Sequence, residues 1–219
     1  MLRKVISTKL NVREDFKYPL FLTALAAFLF LPSLVRASIS EILSDILFVV
    51  LIISTLFLIS AESKIIRAYT MAIGILGISA EIVDNFFWPL GDNFQTIFLL
   101  LFFIYFITLF SELIGQIFRS KLITLNVVLG AFTGYIMIGI IGYFVFRIIF
   151  LLNPESFALP DNSSRDLFYF AFITLTTIGY GDISPVTEAA RNFAIIVGLV
   201  GQFYNTVIIA IIIGKFLQR

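Results

Sequence analysis

Charged residues are so sparse along this chain that the gaps between them set what it can fold into. The uncharged run 18–35 holds 18 residues, 46–61 holds 16, 93–111 holds 19, 122–146 holds 25 and 192–214 holds 23. A helix crossing a bilayer needs about 20 apolar residues, with a range near 17–25, because the hydrocarbon core is ~30 Å thick. Four of the five runs meet that length. The 46–61 run reaches it when Ile42 and Leu43 join it and Asp45 snorkels to the surface. A weaker segment lies between Arg67 and Glu81, with an uncharged core of 13 residues at 68–80. It spans if those two charges sit at opposite interfaces. The expectation is an all-α membrane protein with six transmembrane helices.

Composition agrees and narrows the chemistry. Of 219 residues, 60% are hydrophobic and 13% charged, against roughly 45–50% and about 25% in soluble proteins. Mean hydropathy is +1.05. That excludes disorder and a soluble fold. A formal net charge of +1 argues against a nucleic-acid partner. The chain has no cysteine and no histidine, which removes disulfides, thiolate nucleophiles, the usual zinc sites and histidine acid–base chemistry. No catalytic residues and no cofactor are expected, and an enzyme is excluded for want of an intramembrane acid–base pair.

Orientation follows from lysine and arginine. With the amino terminus inside, 11 of the 15 fall on the inner face: five between Arg3 and Lys17, then Lys64, Arg67, Arg119, Lys121, Lys215 and Arg219. Arg36, Arg147, Arg165 and Arg191 fall outside. This positive-inside bias sets both termini in the cytoplasm and the chain in the plasma (inner) membrane. Val35-Arg36-Ala37 after the first span has the small-residue pattern of a cleavage site. An ordinary first helix is the favoured reading, and cleavage leaves the remaining topology unchanged. No cytoplasmic regulatory domain is expected after Lys215.

Residues 167–181, between Asp166 and Asp182, form a further uncharged stretch of 15. As a helix they rise ~22 Å, short of the ~30 Å core. The stretch turns polar and glycine-rich at Thr174, Thr176, Thr177, Gly179 and Gly181. Such a segment dips in and returns. Irregular backbone at membrane depth survives only buried in protein or lining a wet cavity. Ser164 is placed to cap a short helix here, and Asp166 suits its positive end.

Residues 176–182 read Thr-Thr-Ile-Gly-Tyr-Gly-Asp. This resembles the selectivity-filter signature of potassium channels. Glycines at 179 and 181 can take positive φ and re-aim successive carbonyls, and a ring of carbonyls can replace an ion's water shell. The resemblance implies a filter at Thr177, Ile178, Gly179, Tyr180 and Gly181, flanked by Thr176 and Asp182. It implies K+ held at Thr177, Ile178, Gly179 and Tyr180, with Tyr180 bracing the strand from behind. It covers roughly residues 122–217: outer helix, re-entrant pore helix, filter and inner helix. One chain offers one filter strand, so it also implies a fourfold homotetramer in a lipid bilayer. The expected domains are a cytoplasmic segment at 1–17, a peripheral four-helix membrane domain at 18–117 and a pore domain at 118–219.

Several positions depart from the family. Many relatives carry paired tryptophans in the pore helix, where this chain has Tyr169 and Phe170, and Phe170 cannot donate a hydrogen bond. Ile173 stands where some relatives have a glutamate behind the filter. Voltage-sensing relatives carry an arginine-rich fourth helix, yet 93–111 contains no charge. Glu41, Asp45, Glu81, Asp84 and Glu112 near helix ends read as solvated interfacial groups.

The last crossing, from about Glu188 to Phe216, holds Gly198 and Gly201. Gly201 matches the family's inner-helix hinge; it reads equally as a packing site against the fifth helix with its Gly130-x-x-x-Gly134. Gln202, Asn205 and Ile209 share one face by their spacing. The resemblance sets that face on the ion cavity, with Ile209 and Ile213 as a constriction, and interhelical hydrogen bonding is the other reading. Arg147, ending the fifth helix, snorkels outward. The chain reads as a potassium-selective channel without a charged voltage sensor. Its rivals are a nonselective cation channel, which the intact Tyr180 disfavours, and a subunit of a potassium transporter.

Overall fold

The computed structural model describes residues 12–58, 64–86, 92–120, 124–160 and 164–217. Within them six long helices and one short one follow in order. They are α1 (Val12–Phe30), α2 (Ala37–Leu58), α3 (Lys64–Phe86), α4 (Asp92–Arg119), α5 (Leu125–Leu152), the short α6 (Ser164–Leu175) and α7 (Glu188–Leu217). A 3-10 turn at Leu31–Leu34 follows α1; Pro32 in it has no N–H to continue the α pattern. Among the described residues, four segments are long and apolar enough to cross a bilayer: Phe16–Leu34, Thr96–Arg119, Leu125–Leu152 and Glu188–Lys215. Helix α2 offers a shorter apolar stretch, Ile42–Leu58. Helix α3 carries the segment with the shortest uncharged core.

Residues 12–17 are helical as the start of α1. Helix α4 runs to Arg119, so a boundary at 118 falls in its last turn.

Lipid offers no hydrophobic drive between helices, so close approach and hydrogen bonds must hold them together. Helix α5 supplies the close approach through glycines. Gly130 receives the Tyr18 ring of α1, Gly134 the Tyr204 ring of α7, Gly139 the Phe172 ring of α6 and Gly142 the Val197 side chain of α7. A β-carbon at Gly139 would stand 2.6 Å from Phe172. Aromatic rings fill the space between the peripheral helices and α5: Phe102 stacks on Phe144 at 6.3 Å, and Phe48 meets Phe102 edge-on at 5.4 Å.

The hydrogen bonds gather where the start of α1 meets the ends of α2 and α4. Lys17, only 7% exposed, donates to Gln116 Oε1 at 2.7 Å, and the Tyr18 hydroxyl donates to the same oxygen at 3.3 Å. Gln116 Nε2 donates to the Leu58 carbonyl at the end of α2, 2.8 Å away. Glu112 lies 3.4 Å from that nitrogen and 3.7 Å from Arg119. Glu112 therefore belongs to an interhelical polar cluster, not to a freely solvated rim. The side chains of Glu41, Asp45, Glu81 and Asp84 lie outside the described ones. Deeper in, the hydroxyls of Thr55 and Tyr105 pair, both fully buried.

Lys215 near the end of α7 donates to the carbonyls of Ile117, Phe118 and Ser120 at 3.2, 3.0 and 2.6 Å. Those groups close the carboxyl end of α4, where orphan carbonyls carry partial negative charge. Lys215→Met removes the ammonium and should cost about 1–2 kcal/mol, read as a lower melting temperature in detergent. Lys215→Arg should recover most of it. An unchanged midpoint in Lys215→Met would mean apolar packing alone fixes this end of α7.

Candidate functional site: the loop after the short helix

Helix α6 buries one stripe, Leu167, Ala171 and Leu175, spaced four apart. Phe168 packs between Tyr143 and Phe172, at 5.5 and 4.8 Å. Phe170 sits in an apolar nest against Phe146 and Phe157, at 5.0 and 5.6 Å, so it serves as a packing residue. The helix begins at Ser164 itself, with Asp166 in its first turn. Ser164 is thus the first helical residue and not the one before it; its side chain lies outside those described.

At Leu175 the chain folds back over the helix end. Thr176 N donates to Phe172 O at 2.9 Å and Thr177 N to Thr174 O at 3.1 Å. Ile178 N and Gly179 N both reach Ile173 O, at 3.0 and 3.2 Å. So Ile173, which has no carboxylate to offer, supports the loop through its backbone carbonyl while its side chain is buried.

Three residues among those described have positive φ: Thr177 at 60°, Gly179 at 54° and Gly181 at 82°. All lie in this loop, at every second position. A strand with ordinary φ sends successive carbonyls to opposite sides; alternating hand can turn them to the same side. The glycines adopt this freely. Thr177 does not, since a β-branched residue in the left-handed region is strained. Thr177 is expected from the sequence as a filter residue, but nothing in a threonine signals its positive φ.

Both ends of the loop are anchored. The Asp182 carboxylate lies beside the Tyr169 hydroxyl. Beyond it, Ser184–Pro185 pairs antiparallel with Phe157–Ala158, in register Phe157↔Pro185. These are β2 and β1, the described exception to an all-helical chain. Val186 N donates to Ser156 O at 2.8 Å, and Arg191 Nε to Pro185 O at 3.2 Å. Between the anchors residues 176–182 are exposed, Ile178 at 53% and Tyr180 at 73%.

Helix α7 packs against α6. Val197, Gly201, Tyr204 and Ile208 form its buried stripe. Gly201 abuts the end of α6: a β-carbon there would stand 2.5 Å from Leu175 Cδ1 and 3.0 Å from Leu175 O. Its packing partner is therefore α6, not α5, whose Gly134 is filled by Tyr204. Gln202, Ile209 and Ile213 lie exposed along one flank of α7, with Asn205 half-buried at its border.

Two tyrosines in the apolar runs also went unread. The Tyr204 hydroxyl donates to Ala131 O at 2.7 Å, and the Tyr135 hydroxyl to Leu175 O at 3.1 Å. A buried phenol needs an acceptor, which is a signal available from sequence. Which carbonyl accepts is not.

Residues 126–218 match an ion channel family. The chain is 49% identical over 49 residues to a two pore potassium channel c of Oryza sativa subsp. japonica, covering 22% of this chain and 11% of the relative. It is 52% identical over 42 residues to potassium channel subfamily K member 17 of Homo sapiens, covering 19% and 13%. It is 45% identical over 51 residues to the voltage-gated potassium channel Kch of Escherichia coli (strain K12), covering 23% and 12%. The chain thus spans about a tenth of the length of these curated relatives. No solved structure matches it.

Proposed function

We propose that this chain, whose residues 126–218 belong to the potassium channel pore family, is a potassium-selective channel that conducts K+ passively. The observation that carries the reading is the run of left-handed residues at 177, 179 and 181, anchored by hydrogen bonds at both ends. Four copies of such a loop around an axis would present rings of carbonyls from Thr177, Ile178, Gly179 and Tyr180 in place of water. The homotetramer is what the resemblance to potassium channels implies, and it suits a loop that cannot encircle an ion alone. The exposed Tyr180 and the apolar Leu199 and Phe203 on α7 are surfaces for neighbouring copies.

In the assembled protein all six long helices cross the plasma membrane, both termini face the cytoplasm, and α6 is a re-entrant pore helix. Its carbonyl end points partial negative charge at a cation waiting below the loop. Asp182 and Thr176 flank the ion path. Gln202, Asn205, Ile209 and Ile213 line the inner cavity and its gate, and Gly201 lets α7 approach α6.

Recordings from the purified protein in planar bilayers test this. Reversal potentials should favour K+ over Na+ strongly. Open probability should show no steep change between about −100 and +100 mV, since residues 93–111 carry no gating charge. Equal permeability would leave the nonselective cation channel. Slow, saturating flux that matches no channel rate would leave the transporter subunit. An e-fold change in opening per few millivolts, on the order of several gating charges, would overturn voltage independence.

A further inference from the structure

We propose that Tyr135 is a positioning residue for ion discrimination, acting through the last carbonyl of α6. The inference rests on the channel reading above. A helix leaves its final four carbonyls without helical partners. In α6 those are Phe172, Ile173, Thr174 and Leu175. The loop's own N–H groups reach the first three, at 2.9 to 3.2 Å. The fourth, Leu175, accepts from the Tyr135 hydroxyl of α5 at 3.1 Å.

That bond completes control of one peptide plane. The plane joining Leu175 and Thr176 is held at its nitrogen by Phe172 O at 2.9 Å and at its oxygen by Tyr135. The next residue but one along is Thr177, at φ 60°. A β-branched residue stays in that region only when its surroundings over-determine it. The plane before Thr177 is held through its own N–H, which donates to Thr174 O at 3.1 Å, and Tyr135 holds the plane one step earlier, from which the loop starts.

Tyr135 is itself well anchored. Its ring stacks on Tyr204 at 6.2 Å and 29°, a contact that Tyr204→Phe keeps. On the other side of Leu175, Gly201 brings the α7 backbone against the same carbonyl, where a β-carbon would stand at 3.0 Å. A phenol on one side and a bare backbone on the other fix where the loop starts.

The test uses the full channel and the K+ to Na+ permeability ratio from reversal potentials, which does not depend on how many molecules fold. Tyr135→Phe should lower the ratio about fivefold to tenfold, the scale of one lost hydrogen bond to a buried acceptor. Tyr204→Phe loses a hydroxyl bond of the same kind that ends within α5. It should lower the melting temperature and leave the ratio within about twofold. A wild-type ratio in Tyr135→Phe, or an equal fall in both variants, overturns the proposal. If Tyr135→Phe does not assemble, Gly201→Ala presses on the same carbonyl from the α7 side, and an unchanged ratio there overturns it too. Absence of K+ preference in the wild type would instead remove the channel reading.

Discussion

Gly179→Ala should abolish K+ conduction while leaving assembly of the proposed tetramer intact. Nothing lies within 4 Å of where a β-carbon at Gly179 would sit, so crowding within the chain is not the cause. The cause is φ at 54°. Holding an L-residue in the left-handed region costs roughly 1–2 kcal/mol. A fourfold ring needs the conformation in every copy, about 4–8 kcal/mol in all, which leaves a thousandth or less of the tetramers competent. Gly214→Ala is the control: it too has open space at its β-carbon but sits within α7 at ordinary φ, and conduction should survive. Tyr180→Asp should keep conduction and weaken the preference for K+ over Na+. Size-exclusion chromatography and bilayer currents read both outcomes. Normal selective currents in Gly179→Ala would end the assignment of 177–181 as the ion-selecting loop.

Gln202→Glu should strengthen block by internal Mg2+ at least tenfold. Gln202 lies exposed on the same flank of α7 as Ile209 and Ile213, which the proposed tetramer turns toward the ion path. A carboxylate ~8 Å from an ion at an effective dielectric near 20 attracts a monovalent cation by about 2 kcal/mol, and Mg2+ by roughly twice that. Like-charge repulsion keeps some of four copies protonated, but one ionised carboxylate suffices for the effect. Phe203 is 71% exposed and one residue, ~100°, farther around the helix. Phe203→Glu should therefore disturb the contact between copies and lower the tetramer fraction without creating block. If Gln202→Glu leaves block unchanged in a conducting tetramer, Gln202 does not face the cavity, and interhelical hydrogen bonding becomes the better account.

How much of this was legible beforehand depends on the range of the interaction involved. The helical segments were readable because charge spacing is a local property and a bilayer imposes a length. The two positions of least certain span, in α2 and α3, are also those where charges crowd the apolar run. The loop at 176–182 was readable because glycine's freedom at positive φ is intrinsic to the residue, and φ at Gly179 and Gly181 is positive as expected.

Other features had no local signal. Thr177 takes φ 60° against its own preference, so only its surroundings can have decided it. Lys17 and Glu112 look like solvated charges at helix ends, yet both engage Gln116, because the start of α1 and the ends of α2 and α4 meet there. Gly201 could be read as a hinge or as a contact with α5; the crossing of α7 over Leu175 makes it a contact with α6. Tyr135 carried a need for an acceptor, and only packing chose Leu175. Residue type and spacing, acting along the chain, determined which segments are helices and where the backbone can turn left-handed. The approach of one helix to another, which no spacing encodes, decided which carbonyl each buried donor meets and which strained residue is held.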